Sequence, residues 1–205
     1  MRRGAILFAV VWLNACSALL RPGVELHGVM TGTAPTATVA GERVDQPGVS
    51  FSPPSGRIWY FLGRSAEEAA LAARGSSRDE TYVTAVSTYR LPSELSPDEF
   101  LAWVKAQRAA EPQAVRYELI HNDEQLYAER PEVCVKYRST SKDYGAKRGG
   151  QFPLFDTLGM HCIHPTSQRV GVFVEFSRKA PTSADASFDA DGLRLLQSVA
   201  FMPFT

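Results

Sequence analysis

The stretch Val170-Gly171-Val172-Phe173-Val174-Glu175-Phe176-Ser177 decides the fold class of this chain. Successive side chains of a β-strand point to opposite faces of a sheet. Along this stretch, an apolar residue occupies every second position on one face: Val170, Val172, Val174 and Phe176. The period of two predicts a strand with one face buried in a core.

Five earlier segments also have the composition of strands. They cover residues 58–62, 81–90, 115–121, 133–138 and 158–164. Short apolar runs and segments rich in Val, Thr and Tyr favour extended structure, so we predict a strand in each.

Three helices are expected between and after these strands. The sequence Ser96-Pro97-Asp98-Glu99 has a capping serine, a proline at the first helical position and a glutamate that can reach back to the serine N–H. Phe100 and Val104 follow one turn apart, on a face that should pack against a sheet. A final helix is predicted over residues 188–198. A short helix is predicted over residues 65–75, because its start has capping-box spacing before an alanine-rich run.

Strands in runs, with helices segregated between them, predict an α+β domain with a mostly antiparallel sheet flanked by helices. The fractions of hydrophobic residues, 44%, and of aromatic residues, 10%, are those of a globular protein. We expect one such domain over residues 47–205. Residues 16–46 are rich in Gly, Pro, Thr and Ala and predict a flexible linker.

The N-terminus has the pattern of an export signal. Arg2 and Arg3 precede an uncharged apolar run that is far shorter than the roughly 20 residues of a membrane-spanning helix, so residues 1–15 are predicted to be a cleavable signal peptide. Leu13-Asn14-Ala15-Cys16 then resembles the lipobox of bacterial lipoproteins, from which Asn14 departs. The resemblance implies that Cys16 becomes the lipid-carrying first residue, with the membrane as its partner. Ser17 implies the outer membrane facing the periplasm. The alternative is an ordinary signal cleaved near Ser17 or Ala18, which gives a soluble periplasmic protein.

Several short motifs in the domain resemble a group of uncharacterised proteobacterial lipoproteins. They are Gly48 to Pro54, Cys134 to Tyr137, Cys162 to Pro165 and Val174 to Arg178. The order of elements is similar to the PsbP/Mog1-like fold. The chain departs from this pattern in lacking a tryptophan directly after Gly56, since Trp59 comes later. That resemblance implies a binding or assembly platform and no particular activity.

The cysteines favour one disulfide. If Cys16 is acylated, Cys134 and Cys162 are the remaining thiols in an oxidising compartment, and we predict that they pair. A zinc site with His161 and His164 is disfavoured, because on a strand His161 points away from Cys162 and His164. A nucleophilic Cys134 beside a histidine base such as His121 or His161 is a further alternative. We predict no metal and no cofactor.

Two groups of acidic residues could supply paired carboxylates or a calcium loop: Asp123, Glu124 and Glu129, and Asp185, Asp189 and Asp191. For the second group we favour a solvated helix N-terminus, where acids complement the helix dipole. His121-Asn122-Asp123 is interpreted as a turn.

Residues 139–151 are interpreted as a long basic loop that can contact an anionic partner such as a lipid or a cell-wall polymer. The residues assigned to this contact are Lys142, Tyr144, Lys147 and Arg148. Removal of the signal peptide takes away two of the 22 basic residues and none of the 22 acidic ones, so nucleic acid is not expected as a partner.

The sequence therefore favours a membrane-anchored envelope lipoprotein with a non-catalytic binding or assembly role. Its partner would be an envelope protein, a lipid or a cell-wall component. Motifs for Ser/His/Asp hydrolysis and for phosphate or dinucleotide binding are absent from the sequence. The alternative is an envelope hydrolase that uses scattered carboxylates or histidines on a cell-wall or lipid substrate.

Overall fold

The computed structural model describes residues 38–39, 42–110, 116–145 and 151–204. Within these ranges the helices are α1 (Pro97–Ala109) and α2 (Ala186–Ser198). The strands are β1 (Thr38–Val39), β2 (Val44–Gln46), β3 (Val49–Phe51), β4 (Trp59–Arg64), β5 (Glu68–Arg74), β6 (Thr81–Arg90), β7 (Tyr117–Leu126), β8 (Cys134–Asp143), β9 (Leu154–His164), β10 (Ser167–Ala180) and β11 (Ala200–Phe201). Neither helix is long and apolar enough to cross a membrane. The predicted signal peptide and Cys16 lie outside the described residues.

Eight strands form one sheet in the order β1-β4-β5-β6-β10-β9-β8-β7. Every neighbouring pair in this sheet is antiparallel. Strands β11, β3 and β2 form a second, small antiparallel sheet. The prediction of an α+β domain with a mostly antiparallel sheet is confirmed.

The large sheet has two differently covered faces, which we call the α2 side and the α1 side after the helix on each. Even-numbered residues of β6, β8, β9 and β10 share the α2 side, and odd-numbered residues share the α1 side. The alternation that predicted β10 is confirmed, since Val172, Val174 and Phe176 are all completely buried on the α2 side. Phe188 of α2 stacks on Phe176 with ring centroids 5.0 Å apart.

Helix α1 covers part of the other face. Its buried residues Phe100 and Val104 pack with Val135 of β8 and Ile163 of β9, as their spacing predicts. The predicted capping box is also confirmed. The Ser96 N–H donates to Glu99 Oε2 at 2.9 Å, and the Glu99 N–H donates to Ser96 Oγ at 3.4 Å.

The helix predicted over residues 65–75 is wrong, because most of this segment is strand β5. Ser65 does accept hydrogen bonds from two following backbone N–H groups, as a helix cap would. However, the Ser65 N–H donates to the Glu68 carbonyl at 2.8 Å and closes a tight turn between β4 and β5. The alanine-rich run then pairs with β4 on one side and β6 on the other, and this pairing overrides its helix propensity.

The predicted end of the linker and one predicted turn also need correction. The linker predicted to reach Gln46 extends too far, because Val44–Gln46 form β2 and pair with β3. Thr38–Val39 form β1 and pair with β4. The turn predicted at His121-Asn122-Asp123 is wrong, because these residues continue β7 opposite β8 after a bulge near Ile120.

Candidate functional site

The predicted disulfide between Cys134 and Cys162 is confirmed. The two residues lie directly opposite each other on the neighbouring strands β8 and β9. Both are buried on the α2 side. A bonded sulfur cannot act as a thiolate, so the alternative of a nucleophilic Cys134 is wrong.

The two histidines of this region lie on opposite faces, as the strand geometry predicted. His164 is completely buried, and its side chain contacts the backbone of two distant segments. Its Nε2 lies 2.9 Å from the Gly48 carbonyl oxygen and 3.1 Å from that of Met202. No group of three or more potential metal ligands occurs among the described residues.

Most residues of the two acidic groups have separate positions or partners in the structure. Asp185 caps α2, as the helix-terminus interpretation predicts, and accepts from the Ser187 N–H at 2.9 Å. Asp189 lies 2.9 Å from Arg138 Nε. For Asp191 the prediction of a solvated position is wrong, because it is buried and paired with Arg57 at 2.5 Å. Asp123 and Glu124 are consecutive on β7 and so point to opposite faces.

The basic loop is shorter than predicted, because β8 continues to Asp143. Lys142 Nζ lies 5.3 Å from the centroid of the Tyr144 ring. Tyr144 is exposed, and its hydroxyl hydrogen-bonds Glu118. Lys147 and Arg148 lie outside the described residues.

A different group of side chains stands out on the α1 side, where two tyrosines reach across the sheet in opposite directions. Tyr89 of β6 crosses β10, and its hydroxyl lies 3.0 Å from His161 Nδ1 on β9. Tyr137 of β8 crosses β9, and its hydroxyl donates to Glu175 Oε2 on β10 at 2.7 Å. The two crossings bring His161 and Glu175 into one cluster.

Two glycines make room for these crossings. A Cβ atom at Gly171 would lie 2.2 Å from the Tyr89 ring, and one at Gly159 would lie 2.3 Å from the Tyr137 hydroxyl. A glycine inside a strand often marks such a close approach. Any side chain at either position would push the tyrosine off the sheet.

Aromatic rings surround His161. The ring centroids of Phe173, Tyr137 and Tyr89 lie 5.1, 5.8 and 5.9 Å from that of His161. We call Tyr89, Tyr137, His161, Phe173 and Glu175 the tyrosine cluster.

Helix α1 forms one edge of the tyrosine cluster. Trp103 stacks on the Tyr89 ring with centroids 5.7 Å apart, and Arg108 lies 3.6 Å from the centroid of the Tyr137 ring. Arg108 is held in place by Glu124, at 2.6 Å. Tyr89, Phe173 and Glu175 stay partly exposed, whereas His161 is only 4% exposed. The cluster is thus a surface with a buried histidine at its base.

The ionisable groups of the cluster favour their uncharged forms. Burial, assisted by the positive charge of Arg108, lowers the pKa of His161 to about 3. Burial also raises the pKa of Glu175, against the opposing effects of the Tyr137 hydrogen bond and Arg108. His161 Nε2 forms no hydrogen bond with any described residue, and Glu175 has no ion-pair partner among them.

Other buried carboxylates of the domain are compensated by cations. Asp143 lies 2.8 Å from Arg116 and 2.6 Å from Lys179, and Glu80 lies 2.7 Å from Arg178. Buried charge is usually paired in this way. Among the described residues Glu175 departs from this rule, and groups with perturbed pKa values concentrate at functional sites.

The sequence-based predictions missed most of this cluster. His161 was considered only as a metal ligand or a base, and Tyr89, Tyr137, Phe173 and Glu175 were not assigned. The signal that could have found them is the pair of glycines inside strand patterns.

Comparison with models of known protein families gives no match for this chain. Comparison with curated proteins gives no match either.

Proposed function

We propose that the chain is a membrane-anchored envelope lipoprotein with a non-catalytic binding role, and that the tyrosine cluster is its contact surface. The observation that carries this proposal is the cluster itself. It combines partly exposed aromatic rings with two polar atoms, His161 Nε2 and one carboxyl oxygen of Glu175, for which the described residues supply no hydrogen-bond partner. Ligand sites commonly combine apolar surface with a few such polar groups.

The envelope location is supported by the N-terminal sequence. A basic start, an apolar run and a cysteine at position 16 suit export and lipidation. The disulfide suits an oxidising compartment. We further propose that the domain is PsbP/Mog1-like, in keeping with its antiparallel sheet and its helix on each face, and that it acts as a binding or assembly platform.

A binding role is favoured over catalysis by the state of His161. A general base works best with a pKa near the working pH, and the pKa of His161 is far below it. Its Nδ1 is also engaged with a tyrosine hydroxyl, and both cysteines of the domain are bonded to each other.

One observation supports hydrolysis of a cell-wall or lipid substrate as a second candidate. Glu175 has a raised pKa, which is a property of general acids in glycoside hydrolysis. Glu175→Gln separates the two functions, because a glutamine can hydrogen-bond a ligand but cannot transfer a proton. Turnover of an envelope substrate that is lost in this variant would favour the hydrolase.

Site-specific photocrosslinking in intact envelopes tests the binding surface. A photoreactive residue at Ser87, which lies opposite Phe173 on the α1 side, should give a crosslinked adduct. The matched control is Gln125, an exposed position that faces the α2 side of β7. Equal adducts from both positions, or none from Ser87, would contradict the proposed surface.

The anchor has its own test. Cys16→Ser should move the protein from the membrane fraction to the soluble fraction, because each buried lipid methylene contributes roughly 0.8 kcal/mol to membrane binding. Recovery of the wild-type protein as a water-soluble species that starts at Ser17 or later would contradict lipidation.

A further inference from the structure

The tyrosine cluster offers hydrogen-bonding atoms beside aromatic rings. His161 is neutral near pH 7. Its Nε2 donates a hydrogen bond if Nδ1 accepts from the Tyr89 hydroxyl, and accepts one if Nδ1 donates to that hydroxyl. Glu175 Oε2 accepts from Tyr137, which leaves the other carboxyl oxygen without a described protein partner. These groups lie beside the exposed edge of Phe173 and the stacked pair Tyr89 and Trp103.

Charged ligands suit this surface poorly. A cation would lie close to Arg108, whose guanidinium already covers the Tyr137 ring. An anion would lie close to the Glu175 carboxyl group, which forms no ion pair with any described residue. Arg108 itself is paired with Glu124 and so is not available as an anion-binding group of its own. The cluster therefore selects an uncharged molecule.

We propose that the tyrosine cluster binds an uncharged saccharide, whose hydroxyl groups hydrogen-bond His161 Nε2 and Glu175 while its C–H faces pack on Phe173, Tyr89 and Trp103. A sugar hydroxyl both donates and accepts, so it can hydrogen-bond the His161 ring nitrogen in either tautomer and a carboxyl group in the same site. The C–H face of a sugar ring is apolar and matches an aromatic surface. This inference rests on the proposed function, because it names the ligand of the same surface.

Calorimetric titration of the full-length chain tests the ligand class. The chain is kept in a detergent without a sugar headgroup, because such a headgroup would compete for the site. The probes are a tetramer of N-acetylglucosamine and maltotetraose, which separate an amino-sugar polymer from a plain glucan. Choline and inorganic phosphate serve as a cationic and an anionic probe. We expect at least one saccharide to bind and neither ion to bind.

Variants place the binding at the cluster. His161→Phe should weaken saccharide binding about tenfold, because a buried sugar hydroxyl loses its hydrogen-bond partner. His121→Phe is the matched control, since His121 is exposed on β7, and it should leave the dissociation constant unchanged. Glu175→Gln should keep the affinity within about threefold, because an amide can also hydrogen-bond a hydroxyl.

Melting curves confirm that each variant is folded. Because His161→Phe could disturb packing, Trp103→Ala provides a second, rim-located variant that should also weaken binding.

The outcomes separate this inference from the proposed function. If neither saccharide binds at millimolar concentration, or if choline or phosphate binds instead, the proposal of a saccharide ligand is wrong. If wild type, His161→Phe and Trp103→Ala bind the saccharide equally, the proposal that it binds at the tyrosine cluster is wrong. If crosslinked adducts still form at Ser87 in these cases, the contact surface stands and only its ligand class is wrong. If adducts are absent as well, the proposed function fails too.

Discussion

The two faces of the large sheet are made by the same strands but have opposite character. On β10, the even-numbered residues Val172, Val174 and Phe176 are completely buried against α2. The odd-numbered residues Phe173 and Glu175 lie between them in sequence and remain partly exposed on the α1 side. One face is a close-packed apolar core. The other carries a neutral histidine and a carboxyl group that forms no ion pair with any described residue.

This difference teaches where a β-protein can place function without loss of its fold. Alternation lets one set of positions be optimised for packing while the other set is free to vary. On the α2 side, Asp156 and Glu80 are both paired with arginines. On the α1 side, the interior glycines and Glu175 break rules of strand composition and charge pairing, and such breaks are expected at functional sites.

The largest expected effect comes from removing one phenylalanine ring on each side of β10. Phe176→Ala should lower the free energy of unfolding by about 3–5 kcal/mol, because it leaves a cavity between Phe188 and Tyr82. Phe173→Ala should cost only about 1–2 kcal/mol, since part of its ring already contacts water. Urea unfolding of both variants measures the difference. Equal losses would mean that the two faces do not differ in packing.

The disulfide lies on the α2 side and should stabilise the fold without shaping the cluster. Replacing both Cys134 and Cys162 with alanine should cost about 3–4 kcal/mol, given the 28-residue separation that the bond closes. The pKa of His161, followed by NMR, should stay low in the double variant if it remains folded. A normal histidine pKa in that variant would show that the cross-link also maintains the α1 side.

The next effect is a pH dependence that arises from the α1 side. The pKa of His161 is lowered from its ordinary value of 6.5 to about 3, mainly by burial. Below pH 6.5 the unfolded chain binds a proton at this residue that the folded chain does not, so stability falls as the pH falls. The loss between pH 7 and pH 5 should be about 2 kcal/mol.

Two glutamine variants isolate this contribution. In His161→Gln the loss between pH 7 and pH 5 should shrink by most of that amount. His121→Gln, at an exposed position on β7, should keep the wild-type dependence. Urea midpoints at the two pH values give the comparison. An unchanged slope in His161→Gln would mean that the histidine is solvated in the folded protein.

Local sequence patterns predicted the elements that depend on local interactions. The capping box of α1 and the alternation in β10 were both correct, because each is set by neighbours in the chain. The helix predicted over residues 65–75 failed, because the pairing of β5 with β4 and β6 outweighs alanine's preference for helices. Pairing between distant segments is not encoded in any single segment.

The same limit explains why the tyrosine cluster was missed. Gly159 and Gly171 are visible in the sequence as glycines inside strand patterns. Which side chain uses the space depends on the sheet order, in which β6 pairs with β10 across some eighty residues and so places Tyr89 beside Gly171. The disulfide could be predicted because the choice of partners was small. The cluster required a register that a single sequence does not contain.

The smallest expected effect is that of Glu175→Gln, and its reference is Asp156→Asn on the other side of the sheet. Asp156 on the α2 side accepts hydrogen bonds from Thr140 at 2.7 Å and from the Ala184 N–H at 3.0 Å, and it is paired with Arg138. Asp156→Asn should therefore lower the free energy of unfolding by about 1–3 kcal/mol.

Glu175→Gln should instead raise the free energy of unfolding slightly at pH 7. Burial raises the pKa of Glu175, so its charged form is less favourable in the folded state than in the unfolded state, and this cost appears as the pH rises above the ordinary value of 4.5. The glutamine can still accept from the Tyr137 hydroxyl, so the variant removes the charge and keeps the hydrogen bond. The gain should therefore vanish at pH 4, where the wild-type carboxyl is protonated in the folded protein. A loss of stability at pH 7 in Glu175→Gln would mean that Glu175 is a compensated charge like Asp156, and the contrast between the two faces would then not extend to their carboxylates.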